Sequence, residues 1–195
     1  MAHLIGLTGG LGCGKSTAAK LLSEMGWHVI DTDEIAREIV IPGKPAWEKI
    51  KTLFGENYFH ADGTLNRAKL AETIFHDAKR LSELNAILHP IIREEWKRQS
   101  EKLLAQDQDV LVVIPLLYET EAETEFEKVI AIGCSESVVR SRISARGWSE
   151  DQITARLRAQ WPLDRKMQKA DIAIWNDGDT ELLKKQLSAV IKKFW

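Results

Sequence analysis

The stretch Gly9-Gly10-Leu11-Gly12-Cys13-Gly14-Lys15-Ser16-Thr17 fits G-x-x-x-x-G-K-[ST] and follows the apolar run Leu4 to Leu7. An apolar run, a glycine loop and a helix-forming segment in that order restrict the chain to folds that open with a phosphate-binding strand, loop and helix. Glycines let successive N–H groups converge on phosphate oxygens without Cβ clashes. The first turn of the next helix adds unpaired N–H groups and the positive end of its dipole. Gly10, Gly12, Cys13, Gly14, Lys15, Ser16 and Thr17 are therefore candidates to hold ATP. Lys15 is expected to reach the β and γ phosphates, and the Ser16 hydroxyl to bind Mg²⁺ with Thr17 as a second hydroxyl beside it.

A chain of 195 residues suits one α/β core with an inserted subdomain. Its formal net charge of -2 lacks the basic excess of most nucleic-acid binders, so nucleic acid is not an expected partner. The longest apolar run, Val110 to Tyr118, contains Pro115 and is half a membrane span, and Met1-Ala2-His3 leads straight into the first strand. A cytoplasmic protein is expected. Cys13 and Cys134 form neither a C-x-x-C pair nor a disulfide framework. Cys13 reads foremost as a small residue filling a loop position, although oxidation there could interfere with binding.

Along the chain, Leu4 to Leu7 lacks polar alternation, as in a central parallel strand buried on both faces. Ala18, Leu21, Leu22 and Met25 predict a helix ending before Gly26. Trp27 to Ile30 predicts a second strand that delivers Asp31 and Asp33 to its carboxyl end, the ligand edge of an open α/β sheet. Two acids at this spacing also suit a solvated turn or helix cap; after a phosphate loop the ligand-facing reading gains. Pro42-Gly43-Lys44-Pro45 breaks the chain, and the pattern is then helical to about Leu104. Within this insertion Asp62-Gly63 marks a turn, Asn66 a cap, and His89-Pro90 the opening of another long helix, with His89 itself suiting a helix start better than a ligand contact.

Strands are predicted again at Val110 to Ile114, Val129 to Ile132 and Ile172 to Trp175, with a closing helix through Leu183, Leu187 and Val190. The acidic run Glu119 to Glu127 reads as a solvated connection. Ser135 suits a helix cap ahead of Arg140, Arg142 and Arg146, and Ser149 with Gln152 forms a capping box. The bases between Arg140 and Lys169 form either a solvated face or a lid that neutralises transferring phosphate. The tryptophans suit packing, with one near the cleft able to contact a base. The sum is a doubly wound five-stranded parallel sheet with a helical insertion and a helical lid. Its expected core is 1–41, 106–134 and 170–195, its insertion 42–105 and its lid 135–169.

These residues resemble the dephospho-coenzyme A kinase family over nearly the whole chain. The likeness rests on Ile5 to Gly10, Val29 to Asp33 with Ile35-Ala36-Arg37, Ala61 to Arg67, Leu88-His89-Pro90, Pro115 to Glu119, and Ala170-Asp171 with Asn176 and Gly178. The resemblance implies transfer of the γ-phosphoryl group of MgATP to the 3′-hydroxyl of dephospho-coenzyme A, in an architecture similar to nucleoside monophosphate kinases. It implies Asp33 as acceptor of the hydroxyl proton, Thr8 beside it, and Asp31 orienting the metal's waters or the acceptor. Arg142 and Arg146 match the two lid arginines, Asn176 a position near the adenine. Arg67, His89 and Pro115, Leu116 and Glu119 would line the acceptor pocket. Thr32 stands where alanine is usual, Val138 and Val139 where glutamine is frequent nearby, and Trp175 where an acid is frequent. A monomer or weak homo-oligomer is expected. Two other classes remain open at this point: a phosphate-loop kinase with another acceptor, and a nucleotide-dependent switch whose insertion binds a partner.

Overall fold

In the computed structural model, which describes residues 2–75, 77–144 and 150–195, the opening apolar run becomes β1, Leu4–Gly9. The other predicted strands form as β2 (His28–Asp31), β3 (Val110–Val113), β4 (Lys128–Gly133) and β5 (Ile172–Trp175). All pair in parallel in the order β2-β3-β1-β4-β5, with β1 at the centre. The path out of β1 leads to one edge, and the path out of β3 returns past β1 to the other side. The order therefore reverses at β1, and the glycine loop opens at the carboxyl edge where such sheets bind ligands.

Apolar continuity in β1, β3 and β4 follows from burial on both faces, whereas the edge strands β2 and β5 are partly exposed. On one face Ile5 and Leu7 pack with Leu22 of α1 (Lys15–Glu24) and with Leu183 and Leu187 of α9 (Thr180–Phe194). Asp179 starts α9 by accepting the Leu182 N–H at 2.8 Å. On the other face Gly6 leaves room for the segment after β3, since a Cβ there would stand 2.8 Å from Leu117 and 2.9 Å from Phe126. Met167 of α8 (Leu163–Lys169) lies against Gly133 on that same face. Sheet and helices thus alternate as expected for the doubly wound class.

The chain divides into two compact units, Met1–Asp31 with Gln99–Trp195, and Thr32–Arg98. The second holds α2 (Thr32–Glu38), α3 (Pro45–Phe54), α4 (Arg67–Phe75) and most of α5 (Ala78–Leu104). Pro45 opens α3, where its missing N–H costs no helical bond. Val40, Ile50, Phe54, Leu70, Ile74 and Leu84 form a core of their own. Asn66 caps α4 by accepting the Lys69 N–H at 3.0 Å.

Two sequence expectations fail. His89-Pro90 does not open a helix: α5 starts at Ala78, where Asp77 accepts the N–H groups of Lys79 and Arg80, and Pro90 lies inside it on the exposed side. One lost bond on a solvated face is outweighed by the 27-residue helix that continues past it. The acidic run is not merely solvated either. Ala122 and Phe126 are buried, Glu123 pairs with Lys169 at 2.6 Å, and Glu127 accepts the Leu4 N–H at 3.1 Å. Alternating small and apolar residues anchor it to the sheet. The Ser149 cap and Trp148 lie outside the described residues.

Candidate active site

The phosphate loop is shaped by neighbours at both ends. Gly9 has φ +144°, and a Cβ on it would lie 2.1 Å from the Ile132 carbonyl oxygen, which also accepts the Gly10 N–H at 3.2 Å. The loop leaves β1 pressed against β4. At the far end Gly14 has φ +98°, and its Cβ would meet the Asn176 side-chain nitrogen at 2.4 Å. Only glycine fits either place.

Asn176 follows β5 and is 4% exposed. Its N–H donates to the Gly133 carbonyl at 2.7 Å, and its Nδ2 donates to the Cys13 carbonyl at 2.9 Å. Because C=O and N–H oppose each other across a trans peptide, this bond turns the Gly14 N–H away from Asn176. Ala18 makes the first helical bond, to Gly14, so the N–H groups of Lys15, Ser16 and Thr17 have no partner within α1. Lys15 Nζ bends back over the loop and donates to the Gly9 and Gly10 carbonyls at 3.0 and 2.9 Å. Both bonds are ones that phosphate oxygens can replace. Ser16 and Thr17 are exposed.

Arg142, on α6 (Glu136–Ser144), reaches the same place: its Nη2 donates to the Gly178 carbonyl at 3.5 Å. Its Nη1 is buried with no partner, 3.8 Å from where a Gly14 Cβ would stand. A guanidinium held half-paired beside a glycine loop is suited to an anion. Nearby, Asp177 accepts the Ser135 N–H at 2.7 Å, which chiefly holds its carboxyl below the ordinary range. Cys134 is pushed up to about 12 by burial and by Cys13 beside it, so this thiol stays protonated and unreactive at neutral pH.

A second cluster forms under the loop. The Pro115 carbonyl accepts from Lys166 Nζ at 2.6 Å and from Thr8 Oγ1 at 3.4 Å. Lys166 is fully buried and pairs with Glu119 Oε1 at 2.9 Å, which also accepts the Trp161 N–H at 2.6 Å. Burial lowers the Lys166 pKa against the opposing pull of Glu119. Leu116 accepts the Thr120 hydroxyl on its carbonyl at 2.8 Å. Thr8, Pro115 and Glu119, singled out from the sequence, thus meet around a lysine that was not. Lys166 shares a helix face with Leu163, three residues earlier, and that spacing was the available signal.

Asp31 closes β2 in register with Val113 and, through it, Leu7. Two strand spacings put it about 10 Å from β1 across the carboxyl edge. In the Thr32–Arg98 unit, Asp33 is exposed in the first turn of α2, a favourable end for an acid. Arg67 starts α4 and donates to the Arg37 carbonyl at 2.8 Å. His89 is half-buried in α5, and burial lowers its pKa. Arg146 lies outside the described residues.

The family model for dephospho-CoA kinase matches residues 3–181. The chain belongs to the dephospho-CoA kinase family. A dephospho-CoA kinase of Bacillus anthracis is 39% identical over 100% of this chain and 98% of its own. A solved Thermus thermophilus protein superposes with a TM-score of 0.83 at 33% identity, covering 100% of this chain and 98% of its own. The dephospho-CoA kinase of Campylobacter jejuni gives 0.73 at 28% identity, covering 99% and 97%. As a member of this family the chain is an ATP-dependent kinase.

Departures from the usual family pattern are absorbed locally. Thr32 is buried at the start of α2. Val138 and Val139 pack on the sheet core, and Val139 lies 3.5 Å from a Cβ placed on Gly12, so apolar contact holds α6 to the loop. Trp175 is 49% exposed and donates to Asp177 Oδ2 at 2.9 Å. The exposed Ser16 hydroxyl at the loop is a donor that fits Mg²⁺. Mg²⁺ is ordinarily held by one or two protein oxygens together with substrate phosphates. Among the described residues no helix is long and apolar enough to cross a membrane.

Proposed function

We propose that this chain transfers the γ-phosphoryl group of ATP directly to the 3′-hydroxyl of dephospho-coenzyme A, giving coenzyme A and ADP. The observation that carries the reading is the family match over 3–181 together with a phosphate loop whose lysine and helix start stand ready for a triphosphate. Phosphoryl transfer asks a protein mainly for alignment and charge neutralisation. The N–H groups at the start of α1 and Lys15 bind the β and γ phosphates, and Arg142 with Arg146 stabilises charge on the equatorial oxygens in the transition state. Ser16 would hold Mg²⁺, with Asp31 orienting the metal's waters or the acceptor, and the ion would offset the charge of the phosphate oxygens. Asp33 accepts the proton from the ribose hydroxyl as the new P–O bond forms. Thr8, Arg67, His89, Pro115, Leu116 and Glu119 serve the acceptor side, Glu119 by holding the Pro115 segment in place through Lys166.

Closure over the phosphates is assigned to the segment 135–169, with α6 and α7 (Glu150–Arg158) carrying its arginines and α8 held by Lys166 on Pro115 and Glu119. A kinase that left its donor open to water would hydrolyse it. The reading places the enzyme in the cytoplasm as a monomer or weak homo-oligomer, without nucleic acid or membrane as partner. ADP release with MgATP, measured on dephospho-CoA, adenosine, AMP and shikimate with mass analysis of each product, tests it. One added phosphate, with dephospho-CoA strongly preferred, is expected. Release independent of any acceptor would support the switch alternative, and preference for another alcohol would reassign the acceptor. Asp33→Asn should abolish turnover while sparing ATP binding; normal turnover would remove Asp33 from its role.

A further inference from the structure

The Thr32–Arg98 unit contains a cleft of about 190 Å³ whose walls include residues of α2, α3, α4 and α5. Ala36 of α2, Val40 just after it, Leu65, Ala71 of α4 and Leu88 of α5 line it, with Arg67 as the only charged residue among the described ones that do. An apolar hollow of this kind stays open to an apolar guest, because nothing in it repays a water.

Its rim is cationic. Arg67 Nη2 donates to the Arg37 carbonyl at 2.8 Å, and both side chains are exposed. Among the described residues neither arginine forms an ion pair, although acids are plentiful in this unit. The Arg67 pKa is lowered by partial burial and then by the Arg37 charge, so the two cations repel each other. Two neighbouring guanidiniums without a carboxylate are relieved by an anion with several oxygens, which a fork of N–H donors grips well.

A ligand for this place must therefore carry an anion and an apolar branch within a bond or two of each other. Nucleoside monophosphates and small polar alcohols lack such a branch. In dephospho-CoA the diphosphate is esterified to a carbon that bears, one atom further, two methyl groups, and the amide arm continues from there. We propose that the cleft receives this dimethyl start of the pantetheine arm while Arg67 and Arg37 bind the diphosphate from which it springs. The proposal rests on the acceptor reading above and assigns Arg67 both to the anion and to the cleft wall. The amides further along the arm remain in solvent, in keeping with a lining that offers them no partner.

Pantetheine 4′-phosphate tests the cleft without any transfer step, since it has the phosphate and the arm but no adenosine. Calorimetric titration of the full-length protein should show binding, weakened tenfold or more by Ala71→Leu, which fills the cleft with a good helix former. Arg67→Gln, which removes the charge from an exposed side chain while keeping most of its length, should weaken it at least as much. The same two variants should lower kcat/KM for dephospho-CoA at least tenfold relative to kcat/KM for AMP. No binding to the wild-type protein, equal affinity in all three proteins, or losses that are proportional for dephospho-CoA and AMP would each overturn the assignment while leaving the enzyme a dephospho-CoA kinase. A wild-type protein that binds the probe yet transfers nothing to dephospho-CoA would instead overturn the acceptor reading.

Discussion

The buried pair Lys166–Glu119 gives a prediction whose size follows from the structure. Lys166 is fully buried, Glu119 is 13% exposed, and their charged atoms are 2.9 Å apart. At an effective dielectric of 20 the attraction is about 6 kcal/mol, of the same order as removing both ions from water, so the intact pair contributes little net. Removing one partner is different. Glu119→Gln keeps an acceptor for the Trp161 N–H but leaves Lys166 charged and buried. The cost has a ceiling: a lysine that ordinarily titrates at 10.5 can be made neutral at pH 7 for at most about 5 kcal/mol. The expected loss is therefore about 3–5 kcal/mol, or roughly 6–20 °C in Tm for a chain of this size. Lys166→Met combined with Glu119→Gln removes both charges and should recover most of it. The sign of the pH dependence is also fixed. With Glu119 gone, the folded pKa of Lys166 falls further below 10.5, so between the two values the unfolded chain binds the extra proton and stability rises with pH. Urea unfolding of the single and double variants between pH 7 and pH 10, followed by tryptophan fluorescence, measures each part. A Glu119→Gln deficit below about 1 kcal/mol, one that does not shrink with pH, or strict additivity in the double variant would refute the argument.

Other sites make smaller but separable claims. Asn176→Ala frees the Cys13 carbonyl and should weaken MgATP binding about tenfold in calorimetry, while Tm falls by only a few degrees; an unchanged Kd would show that the loop holds its shape without the bond. Gly14→Ala meets both a positive φ and the Asn176 amide, so it should cost about 1–3 kcal/mol and abolish detectable nucleotide binding; normal binding would contradict the geometry. The Tyr118 hydroxyl is buried without a partner and its pKa is pushed up to about 12, so Tyr118→Phe should stabilise by about 1 kcal/mol in urea. It should also remove a loss of stability between pH 10 and 12, where the unfolded tyrosine gives up a proton that the folded one keeps. His89 is the mirror case below neutrality. Burial lowers its pKa from 6.5, so the unfolded chain protonates first as pH falls, and His89→Asn should flatten the decline in Tm below that value.

What the sequence makes legible here depends on whether a residue's role is set by its neighbours in the chain. The central strands β1, β3 and β4 could be read because a parallel strand buried on both faces must be apolar throughout, and β5, half-exposed at the sheet edge, forms at the predicted residues through its short apolar run. The phosphate loop could be read because glycine, lysine and hydroxyl at fixed spacing act through their own backbone. Pro90 misled because a proline signals a helix start only when nothing upstream has already nucleated one, and Asp77 had. The acidic run misled because its count of charges hid Ala122 and Phe126. Lys166 and the loop contact of Asn176 are not legible, since their partners are 51 and 163 residues away in the chain. Local spacing could at most place Lys166 on the buried face of α8, and it could not distinguish a lysine held by Glu119 from the exposed bases around it. The family likeness implies a position near the adenine for Asn176, and its side-chain amide donates to the loop. A buried amide that donates to the loop cannot at the same time reorient to read a base without releasing the Cys13 carbonyl. Nucleotide affinity and loop shape are therefore coupled through one hydrogen bond, and a variant that weakens it should lose affinity for ADP and ATP in the same proportion, because the lost contact lies upstream of the γ phosphate.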